Sequence, residues 1–321
     1  MRVPRQHTRG AALVTAMLTV TLVAVLAATA LWQQWRSVQI EGVERDRQQA
    51  AWVLMGALDW ARLVLREDAR AGGADHLSEP WAVPLREARL SSFLAAGQSS
   101  DTTQELAQAF LSGRISDAQA KLNVFNLVEN GQVSPLTLSS FTRLFEVLGL
   151  PASELQTLVR KLQWAQLPKP EPALRAQVPL LPTSPTQLAW LGLSPSTVQT
   201  LEPYITWLPE RTPLNLNTAP AEVLVAALPG LDRASAQRMV AVRARAHFET
   251  LAAAARTSGL PEALLAGLSV GVSSRFFEVR GQLRLGDLVV TEISLLKRDG
   301  LSVRTLWRER VPPQAWAPAP L

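Results

Sequence analysis

Residues 9–31 read RGAALVTAMLTVTLVAVLAATAL, and the reading of this stretch decides the fold. Ala11 to Leu31 contains 21 residues with no charge, no Gly and no Pro. At about 1.5 Å per residue such a helix reaches roughly 31 Å, the thickness of a bilayer's hydrocarbon layer. Arg2, Arg5 and Arg9 precede it, whereas Arg36, Glu41 and Glu44 follow. That basic bias puts the amino terminus in the cytoplasm and the bulk of the chain across the membrane. Ala28-Thr29-Ala30 also satisfies the small-x-small rule of a cleaved secretory leader, which is the competing reading. Against it, the apolar run exceeds the roughly 7 to 15 residues of a leader's apolar core. No Pro occurs between Pro4 and Pro80, so the helix continues past the supposed cut.

From Trp32 to Arg70 the residues remain compatible with a helix. Asp59, Arg62 and Arg66 form a polar stripe, and Trp52, Leu54, Leu58, Ala61 and Leu65 an apolar one, so the outer half of this helix is expected to pack on a domain. Gly42 and Gly56 each weaken it by about 1 kcal/mol relative to Ala, and Gly72-Gly73 is the expected stop.

The chain has 321 residues, of which 47% are hydrophobic and 18% charged, which excludes a disordered polyelectrolyte. It has no Cys, so disulfide scaffolds, Cys-based zinc sites and thiol nucleophiles are excluded. His7, His76 and His247 are too far apart in sequence for a local metal motif. The net charge is +5, but without Arg2, Arg5 and Arg9 the rest holds 29 basic against 27 acidic residues, too even for a nucleic-acid footprint.

Arg9-Gly10 before Ala11-Ala12-Leu13-Val14-Thr15 resembles a type IV prepilin leader. The resemblance implies cleavage after Gly10 by a membrane prepilin peptidase and N-methylation of the new terminus, Ala11. Most of that superfamily carries Glu at the fifth mature position, where this chain has Thr15. A neutral residue there is a mark of the K-type minor pseudopilin of type II secretion systems, and other segments resemble that family in order. They are Asp75 to Ala82, Gly113 to Leu127 and Pro213-Leu214-Asn215-Leu216-Asn217-Thr218-Ala219-Pro220. The resemblance implies a noncatalytic assembly protein in the bacterial inner membrane, with its globular part in the periplasm. It also implies partners of the I and J minor types and other pseudopilus subunits, no required cofactor and no nucleic acid.

The expected fold is α+β, a pilin-like unit with a long amino-terminal transmembrane helix, an antiparallel sheet and a large inserted all-helical domain of helix-hairpin-helix type. Its expected parts are a leader (1–10), a membrane span (11–32), a periplasmic helix extension (33–72) and the first part of the α/β unit (73–133). The insertion (134–270) follows, in two subdomains, 134–167 and 184–270. A β-meander (271–311) and a Pro-rich tail (312–321), to which no function attaches, complete the chain. Ile115 and Leu122-Asn123-Val124 are candidate strand positions. The meander is Phe276–Leu285, Leu288–Lys297 and Val303–Arg310, turning at Gly286-Asp287 and Asp299-Gly300. Helix starts are expected at Ser134-Pro135, Ser184-Pro185, Ser194-Pro195 and Thr218-Ala219-Pro220, with Ser184 and Gln187 as a capping box. Six prolines in 168–185 read as a stiff connector.

Leu191-Gly192-Leu193 and Pro229-Gly230-Leu231, each between helical patterns, suggest paired helix-hairpin-helix units. This supports an alternative function, a membrane-anchored DNA receptor of the competence type, with Arg233, Arg238, Arg243 and Arg245 on phosphates. Asp232 at the phosphate-facing turn opposes it. No Gly-x-Ser-x-Gly, phosphate loop or His-rich metal box points to an enzyme. Trp164, Trp190 and Trp207 read as core or subdomain contacts before they read as a ligand cage. The resemblance allows a calcium ion on carboxylate and carbonyl oxygens. Asp101, Asp117, Glu129 and Asp287 are loop-compatible acids, but they form no recognisable calcium loop, and no ligand is assigned.

Overall fold

The computed structural model describes residues 11–91, 109–166 and 178–312. The leader with Gly10, the acid Asp101, most of the Pro-rich connector and the tail beyond Pro312 lie outside the described residues. One helix, α1 (Ala11–Ala71), runs 61 residues, because nothing in it removes a backbone donor or forces a turn. It stops where expected, with Gly72 at φ 67° and Gly73 at φ 113°. The Gly72 amide donates to the Asp68 carbonyl, closing the last turn.

Five strands form an antiparallel sheet: β1 (Leu85–Arg89), β2 (Phe110–Asp117), β3 (Phe276–Leu285), β4 (Leu288–Asp299) and β5 (Ser302–Val311). They lie side by side in chain order. Gly286 and Gly300, both at φ 56°, turn the two hairpins of the meander. β2 pairs with β3 across the whole insertion, Ile115 facing Val279. The outer half of α1 covers one sheet face. Leu58, Ala61 and Leu65 bury against Ile115, Phe277, Val279 and Leu296, with Trp81 edge-on to Phe277 at 5.2 Å. Ala50 and Leu54 meet Leu90, Leu111 and Leu283. The close approach needs Gly281, where a Cβ would stand 3.1 Å from the Leu54 Cδ2.

The helix geometry corrects one expectation. Trp52 does not belong to the packed stripe and is 70% exposed, because it sits two residues, or roughly 200° of turn, from Leu54. Of the tryptophans expected at core or subdomain contacts, Trp207 is buried, whereas Trp190 is 53% exposed and lies outside the core.

Between β2 and β3 lie α2 (Pro135–Leu148), α3 (Ala152–Ala165), α4 (Pro195–Leu201), α5 (Ala221–Ala227), α6 (Arg233–Arg243), α7 (Leu251–Ser258) and α8 (Glu262–Ala266). Ser134 and Ser194 cap α2 and α4 through their hydroxyls, and Pro follows each cap at the first helical position. The expected Ser184–Gln187 box does not form. The Gln187 amide oxygen instead accepts from the Thr183 amide and hydroxyl, and the segment is a 3-10 helix, Pro185–Leu191.

The insertion is not purely helical. Leu122-Asn123 pairs in parallel with Ile205-Thr206, and Leu214-Asn215 with Val270-Gly271. These two-residue ladders satisfy backbone groups where the chain enters and leaves the insertion. Nor do 134–166 and 184–270 have separate cores: Phe141, Leu144, Leu158 and Leu162 share one cluster with Leu188, Leu191, Leu224 and Leu265.

Leu65 is wholly buried under α1. Leu65→Ala is expected to cost about 2–5 kcal/mol in urea unfolding of the detergent-solubilised chain, and Trp52→Ala less than about 0.5 kcal/mol.

Candidate assembly surface and domain junction

Residues 12–40 of α1 are all exposed, Leu13, Val14, Leu18, Leu22 and Leu26 among them. The four threonine hydroxyls of this segment are consumed locally. Thr15, Thr19, Thr21 and Thr29 each donate to a carbonyl three or four residues back, at 2.8–3.0 Å. A Thr at the fifth position after Gly10 therefore enters lipid with neither charge nor unsatisfied donor. Ala11 opens the helix. Trp32 and Trp35 follow the apolar run, with Arg36 5.7 Å from the Trp32 ring, a composition suited to the membrane–water boundary. Farther out, the side of α1 turned away from the sheet exposes Trp52, Met55, Trp60 and Leu63. Gly56 lies among them, with nothing within 4 Å of the place its Cβ would take.

The insertion is held to the pilin-like unit by a buried polar junction. Asp117, last residue of β2, accepts from Asn215 Nδ2 at 3.0 Å, from the Thr218 and Ser274 hydroxyls at 2.6 Å each, and from the Gln119 amide at 2.7 Å. Asn215 Nδ2 also donates to the Asp75 carbonyl, so the run Pro213–Pro220 reaches both units. Asn217 exchanges two bonds with the Phe248 backbone. Asn123 and Asn126 donate to the carbonyls of Glu210 and Thr212. Arg298 on β4 joins Asp68 on α1 to Asp75, and its guanidinium lies 4.8 Å from the Phe277 ring centre. Burial raises the carboxyls of Asp68 and Asp75 against the pull of Arg298.

His76 and His247 stack with ring centres 3.7 Å apart, a meeting of α1's trailing segment with the insertion that sequence separation concealed. Burial and the neighbouring imidazole lower the His76 pKa. Among the described residues, Asp68, Asp75 and Glu79 are the one set of three carboxylates close enough to share an ion. Arg298 already bonds two of them. Calcium requires six to eight oxygens, and a set crossed by a guanidinium does not fit it. Among the described residues, the acids singled out earlier do not converge. Asp117 is enclosed by donors, Glu129 pairs with Arg211, and Asp287 lies in the first meander turn.

The cations assigned to DNA are largely engaged elsewhere. Arg243 is buried, donates to the Leu216 carbonyl at 2.6 Å, and is pushed down to about 10 by that burial. Arg238 donates to Ser235, Arg233 lies 3.9 Å from Glu222, and Asp232 caps α6 through the Ser235 amide.

Burial raises Asp117 from 3.8 to about 6, outweighing the bonds from Ser274 and Thr218. Between those values the folded chain holds a proton that the unfolded chain has released, so this residue's contribution to stability falls as pH rises through about 6. Wild type is expected to gain as much as about 3 kcal/mol from pH 7 to pH 4 relative to Asp117→Asn, read from urea midpoints across that range.

Two profiles described as Type II secretion system (T2SS), protein K match residues 120–210 and 214–273. The Type II secretion system protein K of Pseudomonas aeruginosa is 29% identical over an alignment covering 95% of this chain and 93% of the relative. In the crystal structure of the GspK-GspI-GspJ complex from enterotoxigenic Escherichia coli, a chain 21% identical superposes with a TM-score of 0.65, over 84% of this chain and 98% of that one. That likeness shows a shared fold. The matched segments include the insertion with Asn215 and Thr218 of the polar junction, and they favour secretion over DNA uptake. The chain belongs to the protein K family, the minor pseudopilins of type II secretion systems.

Proposed function

We propose that the chain waits in the bacterial inner membrane as a single-pass prepilin, its amino terminus cytoplasmic and its globular part periplasmic. After cleavage between Gly10 and Ala11 and methylation of Ala11, it would start a pseudopilus with minor pseudopilins of the I and J types. It then occupies the tip of the filament that serves export of folded proteins. No step requires a cofactor or a catalytic residue.

The observation that carries this reading is the neutral, self-satisfied Thr15. A Glu at that depth needs a cationic partner, in the superfamily the amine of a neighbouring subunit, and burying it unpaired costs several kcal/mol. A stem without that requirement can stand first. The bulk of the insertion supports the same reading, since it projects from the sheet where another globular unit would otherwise stack. The outward side of α1, with Trp52, Met55 and Leu63 around Gly56, offers a partner helix apolar anchors and a place for close backbone approach. The complex in which the E. coli neighbour was solved contains partners named GspI and GspJ, which motivates assigning that side of α1 to them.

Two experiments test this. Amino-terminal sequencing of the protein produced beside its prepilin peptidase should begin at Ala11; a start at Leu31 would refute it. Trp52→Glu combined with Leu63→Glu should abolish co-purification with I- and J-type pseudopilins while leaving the unfolding midpoint unchanged. Retention of both partners by that variant would remove the assignment of the interface.

A further inference from the structure

The sheet face turned away from α1 borders the insertion across a cleft of about 560 Å³. Strand register places Arg114 on β2 directly opposite Arg280 on β3. Both side chains face this cleft, because their neighbours Ile115 and Val279 face α1. Like charges directly opposed on adjacent strands destabilise a sheet. Here the repulsion is poorly relieved. The Nε of each arginine is buried without a hydrogen-bond partner, and no described carboxylate comes within ion-pair distance of either. Glu278 lies two residue pairs along on the same face and partly offsets their charge, while burial and Arg280 together lower the Arg114 pKa. Lys121, on the opposite wall, is engaged with the Glu202 carbonyl.

Two residue pairs beyond the arginines, on the same face, Thr291 is 4% exposed and its hydroxyl likewise has no hydrogen-bond partner. Three buried side-chain polar atoms without a hydrogen-bond partner, on Arg114, Arg280 and Thr291, thus lie at successive positions of one sheet face. Toward the opposite end the cleft becomes apolar, with Leu295 and Trp307 on the sheet and Trp207 on the insertion. A small inorganic anion would use the arginines but not this apolar end. An extended chain would use both, and β5, an edge strand beside the cleft, has an unpaired backbone edge.

We propose that this cleft binds an extended polypeptide segment whose carboxylate side chain sits between Arg114 and Arg280 while an adjacent apolar side chain lies against Leu295, Trp207 and Trp307. The carboxylate accepts from the two guanidinium forks and removes their mutual repulsion. Binding then stabilises the sheet, and the ligand-free chain keeps a locally unfavourable pair because of that role.

The test uses the full chain in detergent micelles, with the peptide acetyl-Leu-Asp-Leu-Asp-Leu-amide, its Asn-for-Asp analogue and inorganic phosphate as probes, followed by calorimetry. The acidic peptide should bind, with affinity falling as salt rises. The Asn analogue, and the acidic peptide with either Arg114→Gln or Arg280→Gln, should bind about tenfold more weakly or less, the loss of one charge-assisted interaction. Each Arg→Gln variant should also melt at the same or a higher temperature. Equal binding of the Asn analogue, or full binding by Arg280→Gln, overturns the proposal. So does a several-degree drop in the melting point of both variants, which would make the arginines structural. Phosphate that binds as tightly as the acidic peptide and displaces it would assign the arginines to a free anion, also against the proposal.

Discussion

A buried carboxylate at the end of one strand holds this protein together. Asp117 draws its donors from each stage of the excursion that begins beside it: Gln119 at the departure, Asn215 and Thr218 in the middle, Ser274 at the return. β2 and β3 must pair although a whole domain intervenes. Loop-closure entropy grows only slowly with length, so such an insertion is tolerable provided its two ends are fixed relative to each other. Backbone pairing alone supplies two residues of ladder at each end. The polar junction supplies the rest, in a dry environment where each satisfied bond is stronger and each unsatisfied group more costly than in water. Two of its donors are hydroxyls, which can also accept, so the junction can survive protonation of its centre.

The stem poses a different problem, because one helix must suit two solvents. In lipid its side chains are apolar all round and its hydroxyls bond backward to its own carbonyls. Beyond the membrane it becomes one-sided, and the sheet accommodates it by placing a glycine under Leu54. Neither half commits the helix to a charged partner within the bilayer, which is the property a first subunit needs. The unpacked side beyond the membrane keeps large apolar residues exposed in the isolated chain, an arrangement characteristic of a surface that is covered in an assembly.

The two faces of the sheet accordingly differ in kind. The face under α1 is closed by aliphatic side chains and by the pairing of Glu292 with Arg308 and Arg310. The opposite face is only partly roofed by the insertion and holds charges that the fold itself does not neutralise. In a protein whose work is contact with others, such asymmetry separates the surface that maintains the fold from the surfaces open to partners.

Local rules read in order along the chain were enough for the span, the uninterrupted α1, its stop at Gly72-Gly73, the meander with its two turns, and the Ser-Pro helix starts. Each depends on residues within a few positions of one another, where propensity, capping and left-handed glycines act directly. The resemblance extended that reading to the family through Thr15 and the Asn-rich run at 213–220. What escaped it depended on helix angle, on local competition or on distance. Trp52 has the composition of a packed residue but lies at the wrong angle about the helix, and Gln187 has the spacing of a capping partner but bonds Thr183 instead. His76 and His247 looked unrelated, and Asp117 looked like an ordinary loop acid, because their partners arrive from far along the chain. The amino-acid sequence by itself determined a membrane-spanning stem and the elements of a pilin-like body, since those follow from periodicity and local sterics. Only the tertiary structure decided which polar residues share a buried space, because burial is set by the summed packing of distant segments and turns an unremarkable carboxylate or arginine into a junction or a site.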